Sequence, residues 1–190
     1  MSLSVAVYCS SSDAVDPAYL AQADAFGAAL GSRGHTLVYG GASVGSMGRL
    51  ARAAKAAGAR VVGVIPAAMV DVEIANPDCD ELIVTTGLRE RKAQMDERAD
   101  AFVALPGGFG TLEELFEILT AKQLGWHDRP VALVDLDRFW RPLVDLCEHL
   151  YDRRFARRSF SRQFLLTGDI DAALDRCEAG EDPPAESKWT

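Results

Sequence analysis

The sequence predicts an α/β fold in which an open parallel sheet carries helices on both faces, within a single domain. The first observation is an alternation of short, apolar, β-branched segments with segments of helical periodicity, which is typical of a parallel sheet. The second is the length of 190 residues, which suits one domain. The third is a hydrophobic content of 48%, which is enough to fill a core between a sheet and two layers of helices.

The predicted strands are apolar runs bounded by turn signals. In chain order they are Leu3–Cys9, Thr36–Tyr39, Arg60–Ile65, Glu81–Thr85, Ala101–Leu105 and Val131–Val134. The predicted helices lie between these strands and carry apolar residues at helical spacing. They are Ala18–Arg33, Ser46–Ala57, Leu88–Ala99, Leu112–Leu124 and Arg138–Tyr151.

Two segments fall outside this alternation. The segment 66–80 contains two prolines and no clear periodicity, which predicts a longer connection with room for one helical turn. Residues 179–190 are acidic and include Pro183 and Pro184, which predicts a flexible C-terminal tail. The predicted domain therefore covers residues 1–178, and residues 179–190 follow it as the tail.

Charge and composition exclude several classes of partner. A net charge of -8 argues against nucleic acid, because binding its backbone takes a basic stripe. The one dense cationic run, Arg153–Arg158, is interpreted as a solvated helix face or an interface. The N-terminus lacks a basic region followed by a long apolar run, and no apolar stretch approaches the length of a membrane span, which predicts a cytoplasmic location and no membrane partner. The four cysteines and three histidines lack the spacing of metal ligands.

Polar and glycine-rich segments follow three of the predicted strands. They are Ser10–Asp13 after the first strand, Gly40–Gly48 after the second and Pro106–Glu114 after the fifth. Ligands of an open parallel sheet bind at the carboxyl ends of its strands, and a helix start binds phosphate through its N–H groups and its dipole. Two glycine-rich turns at one edge therefore predict a phosphorylated ligand held by both loops. The first turn matches neither a P-loop nor the dinucleotide-binding G-x-G-x-x-G order.

The run Pro106–Glu114 is predicted to be a loop that leads from the fifth strand into a helix. The spacing Thr111-x-x-Glu114 fits a capping box, in which Thr111 accepts a bond from a first-turn N–H and Glu114 reaches back to the Thr111 N–H. The surrounding glycines add a second interpretation, because the same geometry would aim Glu114 at a ligand in the loop.

The predicted helix from Leu88 carries two cations close to its apolar stripe. At 3.6 residues per turn, Arg91 and Lys92 lie within or beside the stripe of Leu88, Met95 and Ala99. A cation that faces the body of the domain needs a partner, because an unpaired buried charge is costly. A substrate phosphate and the Glu114 carboxylate would supply one.

A phosphate-binding loop, a carboxylate and an arginine suit hydrolysis of a nucleotide N-glycosidic bond. The transition state resembles an oxocarbenium ion, which a carboxylate stabilises while it orients the attacking water. The hypothesis gives this role to Glu114, assigns Arg91 to the substrate and the departing group, and places the 5′-phosphate at Gly108–Thr111. This chemistry requires no metal ion and no organic cofactor.

With these residues in place, the chain resembles the Lonely Guy (LOG) family, the cytokinin riboside 5′-monophosphate phosphoribohydrolases that were once widely labelled lysine decarboxylases. The resemblance runs from Val5 to about Leu150 and rests on the upstream Arg-Lys pair, on P-G-G-x-G-T-x-x-E and on the glycine-rich turn at Gly40. It implies a Rossmann-like fold, and homodimers or larger assemblies with sites near the dimer interface. It also implies release of a cytokinin or adenine, together with ribose 5-phosphate, from N6-substituted adenosine 5′-monophosphates or AMP.

The resemblance implies that Arg91 and Glu114 are the catalytic residues. The two turns and the helices that flank them give the predicted substrate-binding residues. These are Ser10, Gly41, Gly45, Met47, Lys92, Gly107, Gly108, Phe109, Gly110, Thr111, Leu112, Glu113 and Thr120.

The sequence departs from the family pattern in two places. In the first turn, Ala42 stands where the family has a third glycine and Ser46 stands where it has leucine. A methyl group at position 42 is expected to narrow the pocket. Before the arginine, the usual Met-His is replaced by Leu88-Arg89-Glu90, which affects the prediction of base selectivity more than that of reaction type.

Three alternatives stay open from the sequence. The turn Gly41–Gly45 fits G-x-S-x-G, the nucleophile elbow of acyl hydrolases, with Ser43, Asp135 and His149 in the chain order of a triad. A decarboxylase would need pyridoxal phosphate on a lysine. A non-catalytic carrier of a nucleotide-like ligand, such as a molybdenum-cofactor carrier, would use the glycine loops without requiring the arginine and glutamate.

Overall fold

Seven strands form one sheet in the part of the chain that this computed structural model describes, which is residues 2–70 and 74–180. In chain order they are β1 (Ser4–Tyr8), β2 (Thr36–Tyr39), β3 (Val61–Pro66), β4 (Glu81–Thr85), β5 (Ala101–Ala104), β6 (Val131–Val134) and β7 (Leu165–Thr167). Across the sheet the order is β4-β3-β2-β1-β5-β6-β7, and every neighbouring pair is parallel. The predicted α/β class is confirmed.

Helices cover both faces of the sheet. They are α1 (Pro17–Ser32), α2 (Gly45–Ala56), α3 (Ala67–Val70), α4 (Leu88–Arg98), α5 (Phe109–Gln123), α6 (Arg141–Asp152) and α7 (Ile170–Glu178). Apolar residues of α1, α2 and α7 pack on one face of the sheet, and those of α4, α5 and α6 pack on the other. The strands are accordingly apolar on both faces, as is usual in parallel sheets.

Strand order reverses at the centre of the sheet, and this reversal positions the site. From β1 the chain builds outward through β2, β3 and β4, and it then returns to add β5 on the other side of β1. Tyr8 at the end of β1 pairs with Ala104 at the end of β5. The loops that leave these two strands therefore lie side by side, where doubly wound sheets open a ligand crevice.

Close packing between α1 and α2 depends on a glycine. A Cβ atom on Gly27 would lie 2.4 Å from the Leu50 carbonyl oxygen, which is backbone and cannot move aside easily. The absence of that atom lets α1 approach the backbone of α2, and α2 begins with part of the first glycine-rich turn.

All six predicted strands are present, and α3 provides the helical turn predicted between β3 and β4, where residues 71–73 lie outside the described residues. The chain beyond β6 contains elements that were not predicted: a 3-10 turn at Arg158–Arg162, β7 and α7. Strand β7 has only three residues, none of them fully buried, so it lacks the long apolar run by which the other strands were predicted. Residues 181–190 of the predicted tail also lie outside the described residues.

The prediction for the fifth helix, Arg138–Tyr151, was wrong at its start. Helix α6 begins at Arg141 instead of Arg138, because Asp137 and Arg138 adopt φ values of 50° and 61°, which are left-handed and cannot belong to an α-helix. Helix α6 ends at Asp152, so the cationic run that begins at Arg153 follows the helix and does not form one of its faces. No helix in the described ranges is both long and apolar enough to cross a membrane.

Candidate active site

The first backbone N–H groups of helix α5 donate no hydrogen bond to an N-cap side chain. Its N-cap is Gly108, with an extended backbone and no side-chain cap bond, and Phe109 is the first helical residue. The capping-box interpretation is therefore wrong: the helix begins before Thr111, and Glu114 faces inward instead of reaching back. Gly107 makes room for this turn, since a Cβ atom there would lie 2.1 Å from Thr111 Oγ1. The start of α5 is thus suited to an anion.

The first glycine-rich turn uses its N–H groups within the protein. At the start of α2, the Gly45 N–H donates to the Asp13 carboxylate at 2.9 Å, and the Met47 N–H donates to the Ser10 carbonyl at 3.0 Å. Gly45 has a φ of +60°, and a Cβ atom there would lie 2.4 Å from the Ser11 carbonyl carbon. A carboxylate of the protein already neutralises this helix start. The turn therefore supplies a wall of the site, and the uncapped helix start belongs to α5.

A buried ion pair joins α4 to α5. Arg91 Nη1 lies 3.0 Å from Glu114 Oε1, and the two side chains are 9% and 4% exposed. The Arg91 Nε also donates to the Val64 carbonyl at 3.0 Å. The expectation that Arg91 faces the body of the domain and meets Glu114 is confirmed. Leu88, predicted as part of the apolar stripe of α4, is instead 58% exposed.

Burial controls the protonation of Glu114. Removal from water raises the pKa of its carboxyl group to about 7, and Arg91 opposes this increase while the neighbouring Glu113 adds to it. The pKa of Glu114 therefore lies close to neutral pH. A carboxylate with such a pKa can gain or lose a proton during a reaction at neutral pH.

The loops after β1, β2 and β5 surround a cavity of about 410 Å³. This volume is in the range of small-molecule sites. Its wall includes eight of the predicted site residues: Ser10, Met47, Arg91, Gly108, Phe109, Gly110, Thr111 and Glu114. Ala42, which stands where the family has a third glycine, also lines this cavity, as expected from its position in the turn.

The remaining predicted residues lie outside the wall of this cavity. Lys92, Glu113 and Thr120 line a second, larger cavity of about 710 Å³ along α4 and α5, and Glu114 lines both cavities. The other predicted residues that do not line the smaller cavity are Gly41, Gly45, Gly107 and Leu112. The structure thus brings the arginine, the glutamate and the α5 loop together in the smaller cavity, whereas Lys92 lines the larger one.

Sequence reasoning missed several residues that shape the smaller cavity. Gly40 faces the arginine: a Cβ atom there would lie 2.1 Å from Arg91 Nη2. Met69, Ile74 and Leu88 contribute apolar surface to the cavity wall. Gly40 and Leu88 were noted only as parts of the turn and of the α4 stripe, and no local pattern marked Met69 or Ile74, because these residues come from separate connections that meet only when the sheet has formed.

The serine acyl hydrolase alternative gains no geometric support. The Ser43 hydroxyl donates to the Ile74 carbonyl at 3.3 Å, and the Asp135 carboxylate accepts the Trp140 backbone N–H at 3.1 Å, so neither forms part of a serine triad. Within residues 2–70 and 74–180, no group of three or more His, Cys, Asp or Glu side chains is arranged to hold a metal ion.

Comparison with known proteins identifies the family. A family model described as "Possible lysine decarboxylase" matches residues 47–177. A cytokinin riboside 5′-monophosphate phosphoribohydrolase of Mycobacterium marinum is 41% identical over 93% of this chain and 94% of its own length. The chain belongs to the Lonely Guy family. Another LOG relative, the phosphoribohydrolase LOG5 of Arabidopsis thaliana, is 36% identical over 97% of this chain and 83% of its own length.

Solved structures show that the LOG fold extends to proteins with other roles. A molybdenum-cofactor carrier protein of Chlamydomonas reinhardtii superposes with a TM-score of 0.71 over 94% of this chain and 99% of its own, at 22% identity. At that identity the similarity establishes the shared architecture alone. The arginine and glutamate pair, and not the sheet, is therefore the feature that indicates an activity.

Proposed function

We propose that this LOG protein hydrolyses the N-glycosidic bond of adenosine 5′-monophosphates, with or without an N6 substituent, and releases the free base and ribose 5-phosphate. The observation that carries the proposal is the buried pair of Arg91 and Glu114 in the wall of a cavity that also contains the uncapped start of α5. The names of the relatives in Mycobacterium marinum and Arabidopsis thaliana support the same reaction. A cytoplasmic location remains a sequence-based prediction.

The start of α5 suits the 5′-phosphate. The N–H groups of the first turn, from Phe109 to Thr111, have no partner within the helix, and the helix dipole favours a negative charge at the same point. Bonds between such N–H groups and a phosphate oxygen are charge-assisted and stronger than neutral ones. Binding there fixes the ribose beside the wall that holds the carboxylate.

Glu114 provides the negative charge that the reaction needs. As the bond between C1′ and the base nitrogen breaks, its electron pair leaves with the base and positive charge develops on the sugar. The ionised Glu114 carboxylate stabilises that charge and accepts a proton from the water whose oxygen bonds to C1′. The base takes up a proton from solvent as it leaves, and Glu114 returns the proton of the water to solvent. Arg91 holds the carboxylate in place through the 3.0 Å contact.

A substrate panel tests the proposal. We expect the purified protein to release free base from AMP and from isopentenyladenosine monophosphate, as measured by chromatography. The matching ribosides should react at least about 100-fold more slowly, because they lack charged hydrogen bonds that contribute about 1.5–3 kcal/mol each. Equal rates for ribosides and monophosphates would contradict the role of the α5 start. Binding of AMP without release of base would favour the carrier alternative.

We also propose that a second copy of the chain covers the larger cavity. Trp126 and Phe116 line this cavity with 77% and 37% of their surfaces exposed, and Thr120 lies on the same face. Exposed aromatic surface of this kind is typical of an interface. Because Glu114 lines both cavities, a partner seated here would lie next to the site, as the family resemblance implies.

Light scattering tests the assembly. The protein should have at least twice the 20.5 kDa mass of one chain, and Trp126→Ser should shift the population toward the single-chain mass. Val84→Ser is the matched control, because Val84 is 54% exposed on β4, on the outermost strand of the sheet. A single-chain mass for the unmodified protein would exclude the proposed interface.

A further inference from the structure

Lys92 forms two ion pairs beside the buried Arg91–Glu114 pair. It follows Arg91 on α4, and its Nζ contacts the carboxylates of Glu113 and Glu117 on α5. The Lys92 side chain is 15% exposed, whereas the two glutamates are more than half exposed. The lysine is thus largely covered by the two helices that it joins.

The two glutamates flank Glu114 on α5. Glu113 immediately precedes it, and Glu117 lies one helical turn further along the same helix. A single cation on α4 therefore contacts α5 on both sides of the candidate catalytic carboxylate. Strands β4 and β5, which precede these helices, are separated in the sheet by three strands. Both helices also pack on β1, and the ion pairs of Lys92 add a direct contact between them.

The surroundings of Lys92 differ from those of a phosphate ligand. Its side chain lines the larger cavity, whereas the uncapped start of α5 lies in the smaller one. Two of its three donor positions have carboxylate partners. The charged partners of Lys92 in the structure are therefore side chains of α5.

We propose that Lys92, Glu113 and Glu117 form a positioning clamp that holds Glu114 against Arg91, and that Lys92 and Glu113 do not bind the substrate directly. This inference rests on the proposed function and replaces the substrate-binding role that the family resemblance implied for these two residues. Glu117, which sequence reasoning did not name, joins the site as a positioning residue.

The clamp also sets the charge around Glu114. The titratable groups that face Glu114 are Arg91 and Lys92 from α4, Glu113 and Glu117 from α5, Tyr8 at the end of β1, and Cys9, which follows β1. Lys92 lowers the pKa of Glu114, and Glu113 and Glu117 raise it. Removing the lysine and removing Glu117 must therefore shift the ionisation of Glu114 in opposite directions.

The test compares Lys92→Met, Lys92→Arg and Glu117→Gln across pH, with AMP as substrate. In Lys92→Met the acid limb of the kcat profile should move up by about 0.5–1 pH unit, and in Glu117→Gln it should move down by a similar amount. At pH 7, Lys92→Met should lower kcat roughly tenfold, because small errors in position are costly, while KM stays within about twofold. Lys92→Arg should restore most of the lost kcat.

A purely substrate-binding lysine gives a different result. If Lys92→Met raised KM for AMP tenfold or more and left kcat and the acid limb unchanged, the clamp would be refuted. If the unmodified protein released no base from AMP, the proposed function would be refuted instead. In that case a carbon-13 NMR titration of the Glu114 carboxyl group still tests the clamp, since it needs no turnover. A higher Glu114 pKa in Lys92→Met and a lower one in Glu117→Gln support the clamp, and the same pKa in all variants overturns it. Thermal unfolding checks that each variant is folded.

Discussion

Replacement of Glu114 by glutamine should lower the rate of base release from AMP by roughly 10³-fold, within the range expected for loss of a general base or of preorganised charge. Glutamine has nearly the same shape, so its amide oxygen can keep the 3.0 Å contact with Arg91 Nη1. The substituted protein should therefore fold and bind AMP while it fails to stabilise the positive charge on the sugar. The measurement is kcat by chromatographic detection of free base.

Two controls separate chemistry from folding. Glu97→Gln makes the same change at an exposed position on α4 and should leave kcat unchanged. Thermal unfolding and calorimetric titration with AMP should show that Glu114→Gln remains folded and still binds. Retention of more than a tenth of the original rate would exclude Glu114 from the chemical step.

The pH dependence of the unmodified protein follows from the same residue. Because burial raises the pKa of Glu114 to about 7, its carboxyl group is protonated, and unable to act as a negative charge, in mildly acidic solution. The rate should therefore be highest above pH 7 and decrease about tenfold for each pH unit below it. The residual activity of Glu114→Gln should lack this acid limb.

Replacement of Gly40 by alanine should reduce kcat by roughly 100-fold, although Gly40 itself has no reacting group. A Cβ atom there would lie 2.1 Å from Arg91 Nη2 and 2.9 Å from the Met47 sulfur, so the guanidinium must move. Displacement would lengthen the contact with Glu114 and the bond to the Val64 carbonyl. The measurement is kcat with AMP, together with the free energy of unfolding from urea denaturation.

Gly87→Ala is the matched control for this substitution. Gly87 is the N-cap of α4, the helix that carries Arg91, but its backbone is extended and a Cβ atom there would meet no heavy atom within 4 Å. It should keep kcat close to that of the unmodified protein. If Gly40→Ala were equally active, the placement of Arg91 would not depend on the space at position 40.

The regular part of the fold was accessible from sequence because its signals are local. Short apolar runs separated by helical periodicity marked six of the seven strands, and each of them is present. The seventh strand, Leu165–Thr167, is short and only partly buried, so its pairing with β6 depends on the sheet that already exists. Local periodicity carries no information of that kind.

The candidate site was accessible in part for the same reason. Helical spacing turned Arg91 inward, and a nearby carboxylate was the natural partner, so the contact with Glu114 followed from two short motifs. The bond to the Val64 carbonyl and the space at Gly40 depend on the order of strands in the sheet, which brings β2 and β3 against α4. The partners of Lys92 were missed because a cation near a predicted phosphate site has more than one chemically reasonable partner.

The hydrogen bond that the Asp13 carboxylate accepts from the Gly45 N–H affects how an anionic ligand can bind at this edge of the sheet. Dinucleotides and polyphosphates carry several anionic groups. An anionic group at the start of α2 would compete with the Asp13 carboxylate for the Gly45 N–H. A molecule with a single terminal phosphate avoids that competition. A side chain of the loop after the first strand thus neutralises the start of α2, which leaves the start of α5 as the anion site of this sheet edge.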